Sequence, residues 1–470
     1  MSNQNLGEAN EQSELHRSLS NRHLQLIAIG GAIGTGLFMG SGKTISLAGP
    51  SILFIYGLIG IMVFFVMRAL GELLLSNLKY KSFIDLSTDL IDPWAGYFVG
   101  WTYWLCWVTI GIADLSAIIY YLEFFNGGES FTPLGGLLIS SVAILFVLGL
   151  NLVTVKLFGE MEFWFAMVKI TAIIVLIAVG LWMIFTGFTN AAGTTASISN
   201  LWTHGGMFPK GLDGFLAGFQ IAIFAFVGVE LVGTTAAETQ DPQRNLPKAI
   251  NSIPIRIIIF YVLALFVVMC VTPWDQINPK VSPFVNIFSQ AGIASAAIIM
   301  NLVVLSSVMS SMNSGVFSTS RMLFGLSTDK QAPKLFGKLS KSAVPSKALV
   351  FSSICIFIGA FVQFIYKVQT GTNDEVTAFT LATTLSTILF ICVWIVIMWS
   401  YINYRKNRPE LHAQSTFKLP GGVFTCWVVI LFFLATIYFL ALDETTLESL
   451  KVSPIWFVIL AIGYFLNKKK

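Results

Sequence analysis

Three ionisable residues lie within segments that are otherwise strongly apolar. Asp114 occurs in WVTIGIADLSAI, Lys169 occurs in FWFAMVKITAII, and Glu230 follows the run FAFVGV. Ionisable groups in an apolar environment are costly, so each of them is a candidate for a functional role. Burial disfavours the charged form of an amine. Lys169, whose own segment offers no carboxylate beyond Glu162, is therefore suited to bind and release a proton. Its position equally allows a second interpretation, in which the flexible stem carries the amine out to water.

Two apolar segments, one in each half of the chain, are interrupted by glycine. Residues 24–42 read LQLIAIGGAIGTGLFMGSG and residues 214–233 read GFLAGFQIAIFAFVGVELVG. In lipid each unpaired backbone group costs several kcal/mol, so a broken helix persists only where it lines a cavity enclosed by protein. Breaks at corresponding places in two halves of a chain are typical of the substrate site of a secondary transporter. The alternative is that these glycines only allow tight helix packing.

The backbone at such breaks has a definite chemistry. A helix that begins inside the protein presents free N–H groups and the positive end of its dipole, which suit a carboxylate. The N–H groups of Thr35, Gly36 and Leu37 are predicted to play that part. Unpaired carbonyls at the second break would accept hydrogen bonds from an ammonium group, and the candidates are Phe224, Ala225 and Val227. A carboxylate site facing an ammonium site describes a free amino acid.

Composition indicates the elements that position these groups. Apolar residues make up 55% of the 470 residues and charged residues 11%, and the mean hydropathy is +0.77. Soluble domains carry about 25% charged residues, so this chain is predicted to be an all-α polytopic membrane protein. One transmembrane domain, residues 23–467, is expected between tails at 1–22 and 468–470. Its twelve predicted spans are 23–47, 50–77, 94–125, 133–154, 162–187, 211–238, 248–272, 284–326, 346–366, 375–402, 421–441 and 452–467.

Basic residues gather on one side of the predicted bundle. With the N-terminus inside, 23 of the 28 Lys and Arg residues fall on the inner side, which predicts that both termini are cytoplasmic. The polar N-terminal residues do not resemble a cleavable signal peptide, so the first span is expected to insert as an uncleaved anchor. Arg68 and Glu72, one helical turn apart near the inner face, are predicted to form a structural ion pair.

Other classes of site find little support. The five cysteines (106, 270, 355, 392 and 426) lie in apolar segments without a CxxC spacing, and the four histidines are scattered, so no metal or disulfide site is expected. The run GSGKT at residues 40–44 ends like a phosphate-binding loop, but the first glycine of that motif would fall at Leu37. The net charge of +4 follows from membrane topology. Neither a cofactor nor a nucleic acid partner is implied.

Longer runs of the sequence resemble a known family. RSLSNRHLQLIAIGGAIGTGLFMGSGKTISLAGPS, GEMEFWFAMVKI, FAFVGVELVGTTAAETQDP and NSGVFSTSRMLFGL are similar to runs of the amino acid permeases of the amino acid–polyamine–organocation superfamily. The resemblance covers roughly residues 15 to 467. The runs GWTYW, FPKGL and VTPW are similar to those of its bacterial branch that carries D-serine, D-alanine and glycine.

That resemblance implies a five-plus-five inverted repeat with discontinuous helices 1 and 6, followed by two extra C-terminal helices. It also implies that a lysine of helix 5, here Lys169, couples transport to protons, beside carbonyls of residues 29–32. Asp114 stands where many relatives carry Glu. The residues proposed for proton coupling are Lys169, Ser310, Ser311, Asp114 and Glu230. The residues proposed for substrate binding are Ile33, Gly34, Thr35, Gly36, Ile110, Ala113, Phe224, Ala225, Val227 and Gly315.

The expected function is import of small neutral amino acids by proton symport across a bacterial cytoplasmic membrane. The predicted side-chain wall, which also includes Phe226, offers no charge to pair with a charged substrate side chain, so glycine, D-alanine and D-serine are expected and arginine, lysine and glutamate are not. A permease for another neutral amino acid and an amino-acid exchanger remain alternatives. A membrane enzyme or a channel is a distant third, because neither a catalytic cluster nor a ring of filter carbonyls is evident.

Overall fold

The fold is a bundle of α-helices. The computed structural model describes residues 33–80, 82–190, 193–234, 239–279, 281–290, 294–371, 375–442 and 444–468. Thr189 and Thr195 form an isolated β-bridge, and the described ranges contain no extended strand. The predicted all-helical class is therefore confirmed, while residues 1–32, and with them the carbonyls of residues 29–32, lie outside the described part of the chain.

Twenty helices are numbered here in chain order. The first group is α1 (Thr35–Phe38), α2 (Gly40–Ala48), α3 (Ile52–Ser76), α4 (Phe83–Leu90), α5 (Pro93–Glu123), α6 (Pro133–Val153) and α7 (Val155–Thr186). The second is α8 (Gly211–Ala217), α9 (Phe219–Ala222), α10 (Leu231–Thr234), α11 (Pro242–Asn251), α12 (Ile253–Ile257) and α13 (Ala264–Val271). The third is α14 (Pro283–Gln290), α15 (Ala294–Thr328), α16 (Ser346–Thr370), α17 (Glu375–Asn407), α18 (Pro409–Gln414), α19 (Gly422–Leu440) and α20 (Glu444–Lys468).

Local sequence explains where the long helices begin. Asp92 accepts a hydrogen bond from the Trp94 N–H, and Pro93 occupies the first helical position of α5. Thr132 and Thr154 cap α6 and α7 in the same way. A side-chain oxygen at this position satisfies one of the N–H groups that a helix leaves free at its start. Because the runs that follow are apolar, these helices extend for 21 to 32 residues.

The long helices suit a lipid environment. Ten helical stretches among the described residues are long and apolar enough to cross a membrane. Large apolar side chains cover the outside, and Phe185 and Phe424, for example, are 82% and 75% exposed. The predicted span 6 does not appear as a continuous helix, because it is broken into short pieces. The described part of predicted span 1 consists of α1 and α2. The count of twelve and the inverted repeat stay predictions.

The centre of the bundle is built around α5. It packs along α15 on one side and α17 on another. Trp107 of α5 and Trp394 of α17 are buried, and Phe390 meets the Trp107 ring edge-on with centroids 6.0 Å apart. These contacts hold α5 beside both broken segments.

Two predicted spans differ from the helices in the structure. The long span 284–326 is not one straight element, because α14 (Pro283–Gln290) packs against α15 (Ala294–Thr328). The predicted span 162–187 starts too late, because α7 already begins at Val155. The charges of the run VKLFGEME favour a loop, whereas Glu162 is fully buried in the bundle. Lys169 therefore lies near the middle of α7.

A strap formed by residues 408–419 crosses the end of the bundle that is predicted to carry most basic residues. At its start, both terminal nitrogens of Arg408 lie 2.8 Å from the two carboxylate oxygens of Asp89. These hydrogen bonds hold the pKa of Asp89 below its usual value. Tyr80 donates a further hydrogen bond to the same carboxylate. The strap thus ties the end of α17 to α4.

Glu72 of α3 anchors the rest of the strap. Its carboxylate is fully buried and accepts hydrogen bonds from the Tyr401 hydroxyl at 2.7 Å and the Leu419 N–H at 2.8 Å. His412 Nδ1 lies 2.6 Å from its other oxygen. The predicted Arg68–Glu72 ion pair is wrong as a direct contact, because Arg68 instead donates to Asn251 Oδ1 at 2.8 Å and to a carbonyl of the strap.

Replacing Glu72 by Ala is expected to destabilise the protein. The change leaves the buried Tyr401 hydroxyl and Leu419 N–H without their acceptor, which costs about 3 kcal/mol of unfolding free energy. Thermal unfolding in detergent measures the effect. Glu448→Ala is the control, because its ion pair with Lys451 is more than half exposed and contributes little. Equal unfolding temperatures for the two variants would contradict the role given to Glu72.

Candidate functional site

The two broken segments touch each other inside the bundle. A Cβ atom added at Gly36 would lie 2.7 Å from Ala225 Cα and 2.8 Å from Cδ1 of the Phe224 ring. Only glycine allows two backbones to approach this closely. The first break of the chain therefore lies directly against the second.

The first break is followed directly by the start of α1. Gly34 is extended, with φ −119° and ψ −161°, and α1 begins at the next residue, Thr35. The N–H groups of Leu37 and Phe38 both lie near the Gly34 carbonyl, at 3.2 and 3.4 Å. The amides of Thr35 and Gly36 have no hydrogen-bond partner within the described residues. Two of the three predicted N–H donors are thus available, whereas that of Leu37 serves the helix itself.

The second break is a short 3-10 turn followed by an extended residue. The turn covers Phe224–Phe226, Val227 is extended with φ −64° and ψ 139°, and Gly228 has φ 99°. A side chain other than hydrogen is strained at that φ, which explains glycine at this place. The helix resumes only at α10.

The carbonyls of the second break are less free than predicted. Phe224 accepts from the Val227 N–H at 3.1 Å, and Ala225 accepts from the Tyr261 hydroxyl at 2.8 Å. Of the three predicted acceptors, the Val227 carbonyl alone has no hydrogen-bond partner within the described ranges. A carbonyl oxygen has two lone pairs, so the other two keep some capacity as acceptors.

Glu230 stabilises the second break. Its side chain is fully buried, and its two oxygens accept from the Tyr103 hydroxyl and the Gly228 N–H, both at 3.1 Å. A carboxylate thus satisfies a backbone donor that the break leaves unpaired. These contacts place Glu230 in a different group from Lys169, with which it was predicted to share proton coupling.

A cavity lies between the two breaks. The space open to the centre of a water molecule is about 10 Å³, roughly what one water needs. No lining side chain is charged. The lining residues are Gly34, Thr35, Gly36, Trp107, Ile110, Phe224, Ala225, Val227 and Ser311.

Three residues predicted for the side-chain wall lie elsewhere. A Cβ at Gly315 would meet Trp107 Cε3 at 2.7 Å, so Gly315 makes room for that tryptophan and does not line the cavity. Ala113 is fully buried within the core. The Phe226 ring stacks on Tyr261, with centroids 5.0 Å apart. Ile33 also lies off the cavity, and its carbonyl accepts from the Ser307 hydroxyl at 3.1 Å.

Trp107 is a lining residue that the sequence prediction missed. It precedes Ile110 by three positions on α5, and residues at that spacing share one face of a helix. The prediction of Ile110 on the wall therefore implied Trp107 as well. Its bulk narrows the side-chain end of the cavity.

Asp114 joins the first break to α5. The Thr35 hydroxyl donates to Asp114 Oδ1 at 2.5 Å. The second oxygen, Oδ2, is buried and makes no hydrogen bond within the described part of the chain. Asp114 is thus connected to the backbone that lines the cavity through the Thr35 side chain. Ser311 of α15 lies on the cavity wall itself.

Lys169 lies in a buried polar network between α7 and α15. Its Nζ donates to Ser310 Oγ at 3.0 Å, and the Ser310 hydroxyl donates to Glu162 Oε2 at 2.8 Å. Asn313 Nδ2 donates to the other Glu162 oxygen at 2.8 Å and its Oδ1 accepts from Asn151 at 2.7 Å. Lys169 and Glu162 are both fully buried. The interpretation that the amine reaches water is therefore wrong for this structure.

Glu162 was not among the predicted site residues. It precedes Lys169 by seven positions, which is two turns of one helix face, and that spacing was the available indication. No group of three or more His, Cys, Asp or Glu residues in the described ranges is arranged to hold a metal ion. The described cysteines are free thiols.

Comparisons with known proteins agree with this architecture. The amino acid permease family model matches residues 23–470. The D-serine/D-alanine/glycine transporter of Escherichia coli K12 is 57% identical over 464 residues, which are 98% of this chain and 96% of that protein.

More distant relatives carry related names. The amino-acid permease AapA of Bacillus subtilis is 49% identical over 460 residues, covering 98% of this chain and 96% of its own. The probable threonine/serine transporter YbxG of the same organism is 40% identical over 452 residues, covering 96% and 95%. The names are those of transporters and permeases, none of an enzyme. With its many apolar helices and a full-length match to the family model, this chain is a multi-pass membrane protein that belongs to the amino acid permease family.

Proposed function

We propose that this permease imports small neutral amino acids, namely glycine, D-alanine and D-serine, together with protons. The observation that carries the proposal is the cavity between the two helix breaks, whose lining residues are uncharged. We also propose the bacterial cytoplasmic membrane as its location, with twelve spans and both termini in the cytoplasm. The substrate class is supported by a relative that is 57% identical to this chain and is named a D-serine/D-alanine/glycine transporter.

The cavity offers one contact for each end of an amino acid. The N–H groups of Thr35 and Gly36 at the start of α1 suit the carboxylate, because they have no partner among the described residues and carry the positive end of the helix dipole. The Val227 carbonyl suits the ammonium group, with the remaining lone pairs of Phe224 and Ala225 beside it. Both contacts involve groups that every amino acid shares.

Selection by size and charge follows from the walls. Trp107, Ile110 and Phe224 leave little space for a substrate side chain. Hydrogen, methyl and hydroxymethyl groups need the least displacement of these rings. A charged side chain would be buried there without a partner, at a high cost in free energy.

Proton coupling is assigned to Lys169. A buried amine can carry a proton through the cycle because burial keeps its charged and neutral forms close in free energy. The Thr35–Asp114 hydrogen bond and the charge of Asp114 near Lys169 give a path by which substrate at the first break would affect the lysine. An amino-acid exchanger would not need such a group.

Transport by the purified protein tests the substrate class. Proteoliposomes are expected to take up radiolabelled glycine, D-alanine and D-serine with saturable kinetics, and unlabelled arginine, lysine and glutamate are expected not to compete. The reason is the uncharged cavity wall. Efficient lysine uptake would show that the chain serves another branch of its family, and linear uptake of glycine would indicate a channel.

Gly36→Val is expected to abolish uptake. The added side chain would collide with the backbone of Ala225 and separate the two breaks, although the protein should still insert. Gly57→Val in α3 is the matched control, because a Cβ there meets nothing within 4 Å. Initial rates of glycine uptake at equal protein density measure both. Normal kinetics in Gly36→Val would remove the breaks from the substrate site.

Lys169→Ala is expected to lose uphill accumulation and its dependence on pH. No amine would remain at this place to take up a proton and pass it on. Glycine accumulation under an acid-outside gradient measures the effect, with Lys451→Ala as the control because Lys451 is exposed. Accumulation that persists in Lys169→Ala would transfer proton coupling to Asp114 or Glu230.

A further inference from the structure

Residues on the facing sides of α7 and α15 form successive layers. Lys169 of α7 meets Ser310 of α15, and Glu162 meets both Ser310 and Asn313. Helix geometry puts the backbone of Glu162 about 10 Å from that of Lys169 along the axis of α7, at 1.5 Å per residue, and the two side chains meet at Ser310. That displacement is toward the start of α7, which is the basic end of the bundle. The carboxylate therefore lies between the lysine and that end.

An aromatic layer closes the basic side of this arrangement. The rings of Phe158 and Phe317 are stacked, with centroids 3.8 Å apart and planes within 10°. The Arg321 guanidinium covers Phe317 at 3.3 Å from its centroid. Each of these three residues is at least nine-tenths buried. Glu162 is thus separated from the basic end by one stacked pair and one cation.

We propose that Glu162 is the proton acceptor of Lys169 and passes the proton on toward the cytoplasm. This inference rests on the proposed proton symport and names the group that discharges the lysine. The carrying observation is the unbroken pair of hydrogen bonds from Lys169 through Ser310 to Glu162, at 3.0 and 2.8 Å. A hydroxyl group that accepts a hydrogen bond from one group and donates a hydrogen bond to another can relay a proton between the two groups.

The transfer balances in atoms and charge. An N–H bond of the Lys169 ammonium breaks as its proton forms an O–H bond with Ser310 Oγ. The original Ser310 O–H bond breaks as that proton bonds to Glu162 Oε2. Lys169 becomes a neutral amine and Glu162 a neutral acid, so the pair keeps a net charge of zero. Separation of the Phe158–Phe317 stack then admits water to Glu162, which releases the proton.

Other titratable groups surround the pair. The elements packed against α7 carry Arg321 on α15, Cys270 on α13 and Tyr261 in the π-helical turn at residues 258–263. Asp114 is the other carboxylate that interacts with Lys169, but it is bonded to Thr35 at the cavity. Lys169 therefore lies between a carboxylate on the substrate side and one toward the basic end, and the second is the route of discharge.

Glu162→Gln tests the relay, because glutamine keeps the shape and an acceptor oxygen but binds no proton. In proteoliposomes with acid outside, the initial rate of proton-driven glycine accumulation is expected to fall about a hundredfold, the scale of losing a proton-transfer group. Glycine counterflow at equal pH, which needs no net proton release, is expected to stay near the wild-type rate.

Substitutions at Ser310 give an independent test should Glu162→Gln fail to fold. Ser310→Ala removes the bridging hydroxyl and is expected to lose accumulation but keep counterflow, and Ser310→Thr, which restores a hydroxyl, is expected to regain accumulation. Ser318→Ala is the matched control, because Ser318 is a buried serine of the same helix whose hydroxyl has no hydrogen-bond partner within the described residues.

Four results would overturn the relay. Wild-type accumulation in Glu162→Gln, or an equal fall of accumulation and counterflow, would leave Glu162 with a structural role only. A Ser310→Ala variant that accumulates glycine normally would break the route. If the wild-type protein shows counterflow without proton-driven accumulation, the proposal of proton symport is wrong, and the proposed relay is wrong as well.

Discussion

The need to satisfy backbone polar groups away from water governs this structure. One helix is broken at residues 224–230 and another begins at Thr35 inside an apolar bundle, and both places expose N–H and carbonyl groups that lipid cannot bind. The second break persists because Tyr261 donates to Ala225 and because Glu230 accepts from Gly228. The first break is braced by the Thr35–Asp114 hydrogen bond. A ligand can bind the backbone N–H and carbonyl groups that these partners leave unpaired.

This constraint separates the ionisable residues by task. Glu230 accepts hydrogen bonds from the backbone of the second break and from Tyr103, so it stabilises that break. Asp114 connects the first break to α5. Lys169 joins Ser310 and Glu162. Substrate recognition and proton movement are thus proposed for adjacent but distinct groups, coupled through α5 and α15.

Much of this arrangement is predictable from the sequence, because closely spaced glycines within one apolar run disfavour a continuous helix. The breaks near Gly34 and Gly228, the all-helical fold and the family all follow from such patterns. The hydrogen bond from the Tyr261 hydroxyl to the Ala225 carbonyl does not follow from the sequence. The rotation of α15 that turns Gly315 toward Trp107 does not follow from it either. Such contacts depend on how helices turn about their own axes, which local sequence does not specify. Glu162 escapes prediction because a charge at the edge of an apolar run is typical of a loop.

The central claim is that substrate lies between the two breaks, and a structure of the protein with bound D-serine tests it most directly. The account predicts the carboxylate at hydrogen-bond distance, about 2.9 Å, from the N–H groups of Thr35 and Gly36, and the ammonium group on the Val227 carbonyl. Trp107 and Phe224 would be displaced around the hydroxymethyl group. D-Serine bound elsewhere, for example in the cavity lined by Tyr121, Glu123 and Ser282, with the space between the breaks unchanged, would contradict it.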